Sequence, residues 1–179
     1  MVDITLANRR FIFTLAYGLL SAALMLIHLL PLSFGPRWPG PDLLAAITFA
    51  WVLRRPMYVP ITLVAAIFLM ADVLFMRPLG LWTALMVLSV EFLRLREPSM
   101  REKPFPVEWI SVATALLLAV ASYHLILTIA LVNPPPLAMS FVQYLLTVLC
   151  YPVVILVSRY VFGVTKMTPN DTDAMGRPR

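Results

Sequence analysis

Residues 109–132 have the sequence WISVATALLLAVASYHLILTIALV, a stretch of twenty-four residues without an Asp, Glu, Lys or Arg. The hydrocarbon core of a bilayer is about 30 Å thick, and a helix needs about 20 predominantly apolar residues to cross it. The stretch therefore predicts a transmembrane helix. It contains His124 near its middle, and an ionisable residue inside a membrane span is by default a candidate for function.

The chain contains five further predominantly apolar runs, and each is closed by an arginine or a proline. They cover residues 11–30, 43–53, 59–76, 79–93 and 137–158. The second and fourth runs of the chain are short. At 1.5 Å per residue the second covers only about 17 Å, so it either crosses at a locally thinned site or is re-entrant.

These runs predict an all-α, polytopic membrane helix bundle of about six transmembrane helices, two of them short spans. The transmembrane domain covers residues 1–166. From Thr168 onward the chain is polar, with Pro, Asn, Asp and Gly. This composition predicts a disordered cytoplasmic tail over residues 167–179.

The composition agrees with a membrane protein. Hydrophobic residues make up 61% of the 179 residues and charged residues only 13%, whereas soluble domains have about 45–50% and about 25%. The net charge is +5, but the arginines flank apolar runs. That placement indicates topology signals and not a nucleic-acid interface.

The positions of the cations predict the orientation. If the N-terminus is cytoplasmic, twelve of the fourteen Lys and Arg residues fall on cytoplasmic segments, and only Arg37 and Arg77 fall on outer loops. This distribution follows the positive-inside rule. Both termini are therefore predicted to be cytoplasmic.

Two acids and two arginines are predicted to meet at the outer interface. Asp42 opens the second run, Asp72 lies near the outer end of the third, and Arg37 and Arg77 are the outer cations. We interpret the four as a polar cluster that links the first and third loops. The cluster is a packed structural pair, a site that coordinates an ion or substrate, or a contact to a membrane segment of a partner.

A second group is predicted at the inner end. Glu91 and Arg94 are three residues apart and are neighbours on a helix, and Arg54 and Arg55 are expected at the same depth. A structural salt bridge is the favoured interpretation. The following segment, residues 94–108, is predicted to be the longest loop, either a solvated linker or a docking surface.

No catalytic motif is apparent in the sequence. His28 and His124 have no Cys, Asp or Glu at metal-ligand spacing, and a histidine hydrogen-bonded to a neighbouring helix is favoured over a metal ligand or a proton relay. Phosphate-binding loops, zinc-protease motifs and serine nucleophile elbows are absent. We predict no enzymatic activity, no metal and no cofactor, and the single cysteine, Cys150, cannot form an intramolecular disulfide.

Several short motifs resemble the bacterial rod shape-determining protein family MreD. They are PGPDLL at 39–44, TFAWVLRRP at 48–56, IFLMADVLFMRPLGLW at 67–82, EFLR at 91–94, and the pairs YP at 151–152 and SR at 158–159. The positions carried over from the family are Asp42, Asp72 and Gly80, with Arg54 and Arg55.

The resemblance implies a function without catalysis. MreD-like proteins lie in the bacterial cytoplasmic (inner) membrane as part of the elongasome, the machinery for cell shape and peptidoglycan synthesis. Such a protein is a scaffold that binds MreC and is linked through it to MreB and to RodA with its penicillin-binding transpeptidase. On this interpretation Asp72→Ala weakens partner association or folding more than Glu91→Ala does.

The family is also similar in fold to the substrate-binding subunits of energy-coupling-factor transporters. The alternative function is therefore a substrate-binding subunit for a small, vitamin-type molecule. Such a subunit needs a pocket with a few convergent polar groups inside the bundle. The candidates to line it are His124, Gln143 and Tyr144.

Overall fold

The computed structural model describes residues 2–29, 39–100 and 103–162, and within these residues the regular secondary structure is exclusively helical. The six α-helices are α1 (Val2–Leu29), α2 (Leu43–Arg54), α3 (Ile61–Leu74), α4 (Leu81–Met100), α5 (Phe105–Ile129) and α6 (Leu137–Phe162). A 3-10 turn over Pro56–Tyr58 joins α2 to α3. The all-α prediction is confirmed for this part of the chain. The tail predicted over residues 167–179 lies outside the described residues.

Successive helices run in alternating directions, so the bundle has two ends. At the Asp42 end, α1, α3 and α5 finish and α2, α4 and α6 begin; the Arg54 end is the opposite one. His28 near the end of α1 packs against Phe75 after α3, with ring centroids 4.9 Å apart and the ring planes tilted by 55°. At the other end, Trp51 Nε1 of α2 donates to Ser158 Oγ of α6 at 3.2 Å.

Among the described residues, three helices are long and apolar enough to cross a membrane: Arg10–Leu29, Phe105–Ile129 and Leu137–Tyr160. Their outward faces carry large exposed apolar side chains such as Leu19 and Leu149. An α-helix satisfies its own backbone hydrogen bonds, which is why helices can stand in lipid. The chain is therefore a helical membrane protein.

The predicted lengths of the shorter elements need correction. α2 has 12 residues and α3 has 14, about 18 and 21 Å at 1.5 Å per residue, so the short apolar helices are the second and third, not the second and fourth. α4 continues past its apolar run because Leu93, Glu97 and Met100 face the bundle on successive turns. The loop predicted over residues 94–108 is consequently wrong for most of its length.

The short helix α2 occupies the centre of the bundle. Eleven of its twelve residues are buried, and it contacts α1, α4 and α6. Ala45 and Ala50 are fully buried, and small residues let neighbouring backbones approach closely in a membrane. Thr48 Oγ1 donates to the Leu44 carbonyl at 2.7 Å and so accepts from Tyr17 Oη of α1 at 2.8 Å.

The ends of α3 and α5 share one geometry. Met76 and Leu131 follow these helices with φ of 53° and 55°, in the left-handed region that usually takes glycine at this position. Beyond Met76, the Arg77 N–H donates back to the Asp72 carbonyl at 3.0 Å. This reversal directs the chain from α3 towards α4 and sets the position of Arg77.

Candidate functional site

The carboxylate of Asp72 holds the first turn of another helix. Its Oδ2 accepts from Gly80 N at 3.1 Å, Thr83 N at 3.2 Å and Thr83 Oγ1 at 2.8 Å. The first N–H groups of a helix have no partner within the helix and carry its positive dipole end. Asp72 of α3 therefore caps α4 with its negative charge, and it does so while fully buried.

Gly80 is required at this joint for its backbone and not for its size. Its φ is +81°, a conformation that only glycine adopts without strain. A Cβ at this position would meet no heavy atom within 4 Å. Asp72 and Gly80 therefore act together. The glycine allows the chain to turn, and the carboxylate accepts hydrogen bonds from the N–H groups at the start of α4.

Asp42 is the N-cap residue of α2. Its Oδ1 accepts from Ala45 N at 3.0 Å, the usual bond of an N-cap aspartate. Its own N–H donates to Thr147 Oγ1 of α6 at 2.8 Å, and Thr147 in turn donates to the Gln143 carbonyl at 2.7 Å. Asp42 therefore links the start of α2 to α6.

A cavity of about 260 Å³, lined by apolar, aromatic and several polar residues, opens at the Asp42 end between α4, α5, α6 and the start of α2. It contains all three residues that the transporter alternative predicts: His124, Gln143 and Tyr144. The remaining lining residues are Pro39, Asp42, Arg77, Trp82, Leu116, Val120, Tyr123, Pro135, Met139, Ser140 and Thr147.

Two side chains that line this cavity have buried polar atoms without a hydrogen-bond partner in the described part of the chain. They are His124, at both ring nitrogens, and Trp82, at Nε1. His124 is 8% exposed and Trp82 is 7% exposed. His124 therefore differs from the sequence-based interpretation of a histidine hydrogen-bonded to a neighbouring helix. Buried polar groups are usually satisfied, so these two are candidates for contacts to a bound molecule.

Arg77 lies against the aromatic wall of the cavity. Its guanidinium carbon is 5.3 Å from the ring centroid of Trp82 and 5.4 Å from that of Phe75, within the range of cation–π contacts. Tyr123 meets the Trp82 ring edge-on, with centroids 5.5 Å apart. The aromatic contacts hold the guanidinium in place without neutralising its charge.

A smaller cavity of about 60 Å³ lies beside the first and shares Asp42, Arg77 and Gln143 with it. His28 and Leu24 of α1 line its other side. A space of this size holds water but not an organic ligand of useful size. His28, a candidate from the sequence, therefore lies at the Asp42 end of the bundle and lines this smaller cavity, not the larger one.

The structure brings part of the predicted outer cluster together. Asp42 and Arg77 line the same cavity, whereas Asp72 is directed to the start of α4. Across residues 2–29, 39–100 and 103–162, no ion pair joins these three side chains. Arg37, the fourth predicted member, lies outside the described residues.

A buried charged cluster lies at the Arg54 end. Arg54 Nη2 is 3.5 Å from Glu108 Oε1, and Tyr151 Oη donates to the same oxygen at 3.0 Å. Arg54 is 7% exposed, and Glu108 and Tyr151 are 1% and 0% exposed. The cluster joins the end of α2 to the start of α5 and the middle of α6, and a buried charge requires such pairing.

Glu91 and Arg94 form the i,i+3 ion pair that their spacing predicts, at 3.2 Å. Arg94 Nη2 also donates to the Val59 carbonyl at 2.7 Å, which ties α4 to the turn before α3. Arg55 is half-buried and ends α2, its N–H donating to the Trp51 carbonyl at 2.7 Å. These residues stabilise the Arg54 end and do not line the cavity.

Sequence reasoning missed Glu108, Tyr151, Thr83 and Trp82 as members of these sites. Glu108 was interpretable as a first-turn acid, and it does lie in the first turn of α5, but its pairing with Arg54 is a contact between helices. Thr83 had a local signal, because a hydroxyl three residues after Gly80 lies in the first turn of α4. Nothing local distinguishes Trp82 from an interfacial aromatic residue.

The arrangement has the properties of a binding site and a set of helix joints. Within the described ranges, no group of three or more His, Cys, Asp or Glu side chains is placed to hold a metal ion. The cavity offers hydrogen-bond donors, one guanidinium and flat aromatic surfaces. Such groups recognise a molecule by shape and polarity.

The comparisons with known proteins identify no relative. The chain matches no family model, no curated protein and no solved structure.

Proposed function

We propose that this protein is a non-catalytic membrane scaffold of the MreD type, in the machinery that builds peptidoglycan during elongation of rod-shaped bacteria. It lies in the bacterial cytoplasmic membrane with six crossings. It binds an MreC-like protein and is linked through it to MreB-like filaments and to a RodA-like synthase with its transpeptidase.

One observation carries the proposal: residues of the MreD resemblance hold helices together. Asp72 and Gly80 form the joint between α3 and α4, Asp42 starts α2, and Arg54 pairs with Glu108. A scaffold depends on a defined bundle shape that presents its faces to partner helices. Residues that set the shape are therefore the ones that such a family is expected to share.

The charge distribution supports the proposed orientation. Among the Lys and Arg residues of the described ranges, only Arg77 lies at the Asp42 end. The positive-inside rule places the end with the greater number of cations in the cytoplasm. We therefore place the Arg54 end and both termini in the cytoplasm and the Asp42 end at the outer face.

The test is complementation combined with capture. The chromosomal copy is depleted in the source bacterium, and tagged wild type, Asp72→Ala or Glu91→Ala is supplied at equal expression. We expect depleted cells to become round. Wild type and Glu91→Ala restore rods and co-purify with MreC-like and RodA-like proteins in mild detergent, whereas Asp72→Ala does so weakly.

The matched control is Glu91→Ala. Glu91 is also an acidic residue of the bundle, but its side chain is partly exposed and pairs with Arg94 on the same helix. A second control is an unrelated multi-pass protein with the same tag, which defines the background of the capture. Normal rods after full depletion, or no enrichment of the MreC-like protein above that background, would exclude the scaffold function.

A second candidate function is favoured by the cavity. His124, Gln143 and Tyr144 meet in a space of about 260 Å³, as a substrate-binding subunit of a transporter requires. If this function is correct, the tagged protein co-purifies with a transporter ATPase module. Co-purification with MreC-like and RodA-like proteins and without a transporter ATPase module would contradict the transporter function.

A further inference from the structure

We propose that the cavity at the Asp42 end binds a small aromatic carboxylate carrying a single negative charge. The inference rests on the second candidate function, since it names the class of ligand for that site. It also has its own test, because ligand binding is measured on the isolated protein without any partner.

The first argument is the indole of Trp82. An indole N–H is a donor only and cannot be satisfied by another donor. Trp82 Nε1 is buried and has no acceptor among the described residues, although its side chain lines the cavity. A molecule that places an acceptor oxygen at the indole satisfies it.

The second argument is the charge of Arg77. The guanidinium lies over Trp82 and Phe75, lines the same cavity and forms no ion pair with a described carboxylate. Arginine presents a planar fork of N–H donors that matches the two oxygens of a carboxylate. An arginine already stacked on aromatic rings loses little conformational freedom when such a ligand binds.

The third argument is the shape of the walls. Trp82, Tyr123, His124 and Tyr144 give the cavity aromatic sides, and Leu116, Val120 and Met139 are its main apolar residues. Aromatic rings pack well against one another in offset or edge-to-face arrangements. A cavity of about 150 Å³ accommodates benzene, so the volume of about 260 Å³ has room for a fused bicyclic ring.

Asp42 and His124 further restrict the chemical class of the ligand. Asp42 lines the cavity, its carboxylate Oδ1 accepts from Ala45 N, and its negative charge opposes a second anionic group on the ligand. His124 has one donor and one acceptor nitrogen when neutral. The ring of the ligand is therefore expected to carry a polar atom that meets His124.

The test uses 6-hydroxy-2-naphthoate, whose hydroxyl supplies the polar atom on the ring, and its neutral isostere 6-hydroxy-2-naphthamide as probes, with full-length protein in lipid nanodiscs and isothermal titration calorimetry. We expect saturable binding of the carboxylate, and binding of the amide weaker by about tenfold or more, since a hydrogen bond to a charged group contributes about 1.5–3 kcal/mol. Arg77→Gln should weaken carboxylate binding by a similar factor and bring the two probes closer together in affinity.

The matched control is Glu91→Gln, which removes a charge far from the cavity and should leave both affinities unchanged. Trp82→Phe removes the indole N–H but keeps an aromatic ring, and it should weaken carboxylate binding. Elution profile and unfolding temperature are checked for each variant. The comparison of carboxylate with amide on the wild-type protein needs no variant and stays decisive if Trp82→Phe does not fold.

The inference is overturned if the two probes bind wild type equally, if Arg77→Gln binds like wild type, or if the isolated protein shows no saturable binding. Photo-crosslinking from position 144 to a partner protein, together with no probe binding, would assign the cavity to that partner. Carboxylate binding without co-purification of a transporter ATPase module supports the ligand class and excludes the transporter function.

Discussion

Asp72 is buried completely, yet only one of its carboxylate oxygens is engaged. Oδ2 accepts three hydrogen bonds from the start of α4, whereas Oδ1 has no partner among the described residues. The interaction of a negative charge with a helix N-terminus offsets the cost of burying that charge. The carboxylate of Asp42 caps its own helix at a partly exposed position, whereas the carboxylate of Asp72 joins two different helices.

Asp72→Ala is expected to lower the free energy of unfolding by about 2–3 kcal/mol, because it leaves buried donors of α4 unsatisfied. Asp42→Ala, the matched control, should cost about 1 kcal/mol as an ordinary N-cap loss. Thermal unfolding in one detergent, followed by intrinsic fluorescence, measures both. Equal losses for the two variants would show that Asp72 does not connect α3 to α4 energetically.

α2 shows how a helix too short to cross a bilayer comfortably is retained. It is surrounded by α1, α4 and α6, and its polar ends are held by Asp42 at one side and by Arg54 with Glu108 at the other. Its backbone is thus covered by protein along most of its length. Buried alanines on α2 set the distance to its neighbours, since lipid tails supply no hydrophobic drive for helix association.

Ala50→Leu is expected to destabilise the bundle by about 1–3 kcal/mol, because the added methyl groups overfill a packed interface. Ala121→Leu is the matched control, since Ala121 is exposed on α5 and the larger side chain points away from the core. The temperature at which half of the protein leaves the monodisperse peak in size-exclusion chromatography reports both. An unchanged temperature for Ala50→Leu would indicate that α2 is loosely packed.

The bundle is polar in different ways at its two ends. The Arg54 end carries the paired and clustered charges and all but one of the described cations, whereas the Asp42 end carries the cavity and the lone Arg77. On the proposed orientation the charged end faces the cytoplasm and the cavity opens to the outer face. A ligand or partner at the cavity would therefore be encountered outside the cytoplasm.

Labelling of introduced cysteines tests this orientation. The background is Cys150→Ser, which removes the single native cysteine. Leu131→Cys, at an exposed position of the Asp42 end, should react with a membrane-impermeant maleimide in intact spheroplasts. Met57→Cys, at the Arg54 end, should react only after the membrane is opened. Labelling of Met57→Cys in intact spheroplasts would reverse the orientation.

Local sequence pattern was sufficient for the class of fold and for several joints. Apolar runs predicted the helices and the start of α2 at Asp42, and the i,i+3 spacing predicted the pairing of Glu91 with Arg94. The same reasoning placed the end of α4 too early, because the inward-facing Glu97 and Met100 come after the charged Arg94 and Arg96. A hydropathy pattern predicts the end of an apolar run where charged residues begin. α4 continues beyond that point because one of its faces still packs against the bundle.

The sequence alone determined that the chain is a helical membrane bundle, because hydropathy and residue spacing depend only on neighbours along the chain. The tertiary structure decided that Asp72 caps α4, that Arg54 meets Glu108 and Tyr151, and that His124, Trp82 and Arg77 surround one cavity. These contacts join residues on different helices. Lipid solvates the outer faces of all helices alike, so which faces meet depends on close packing and interhelical hydrogen bonds, and neither can be read from a single apolar run.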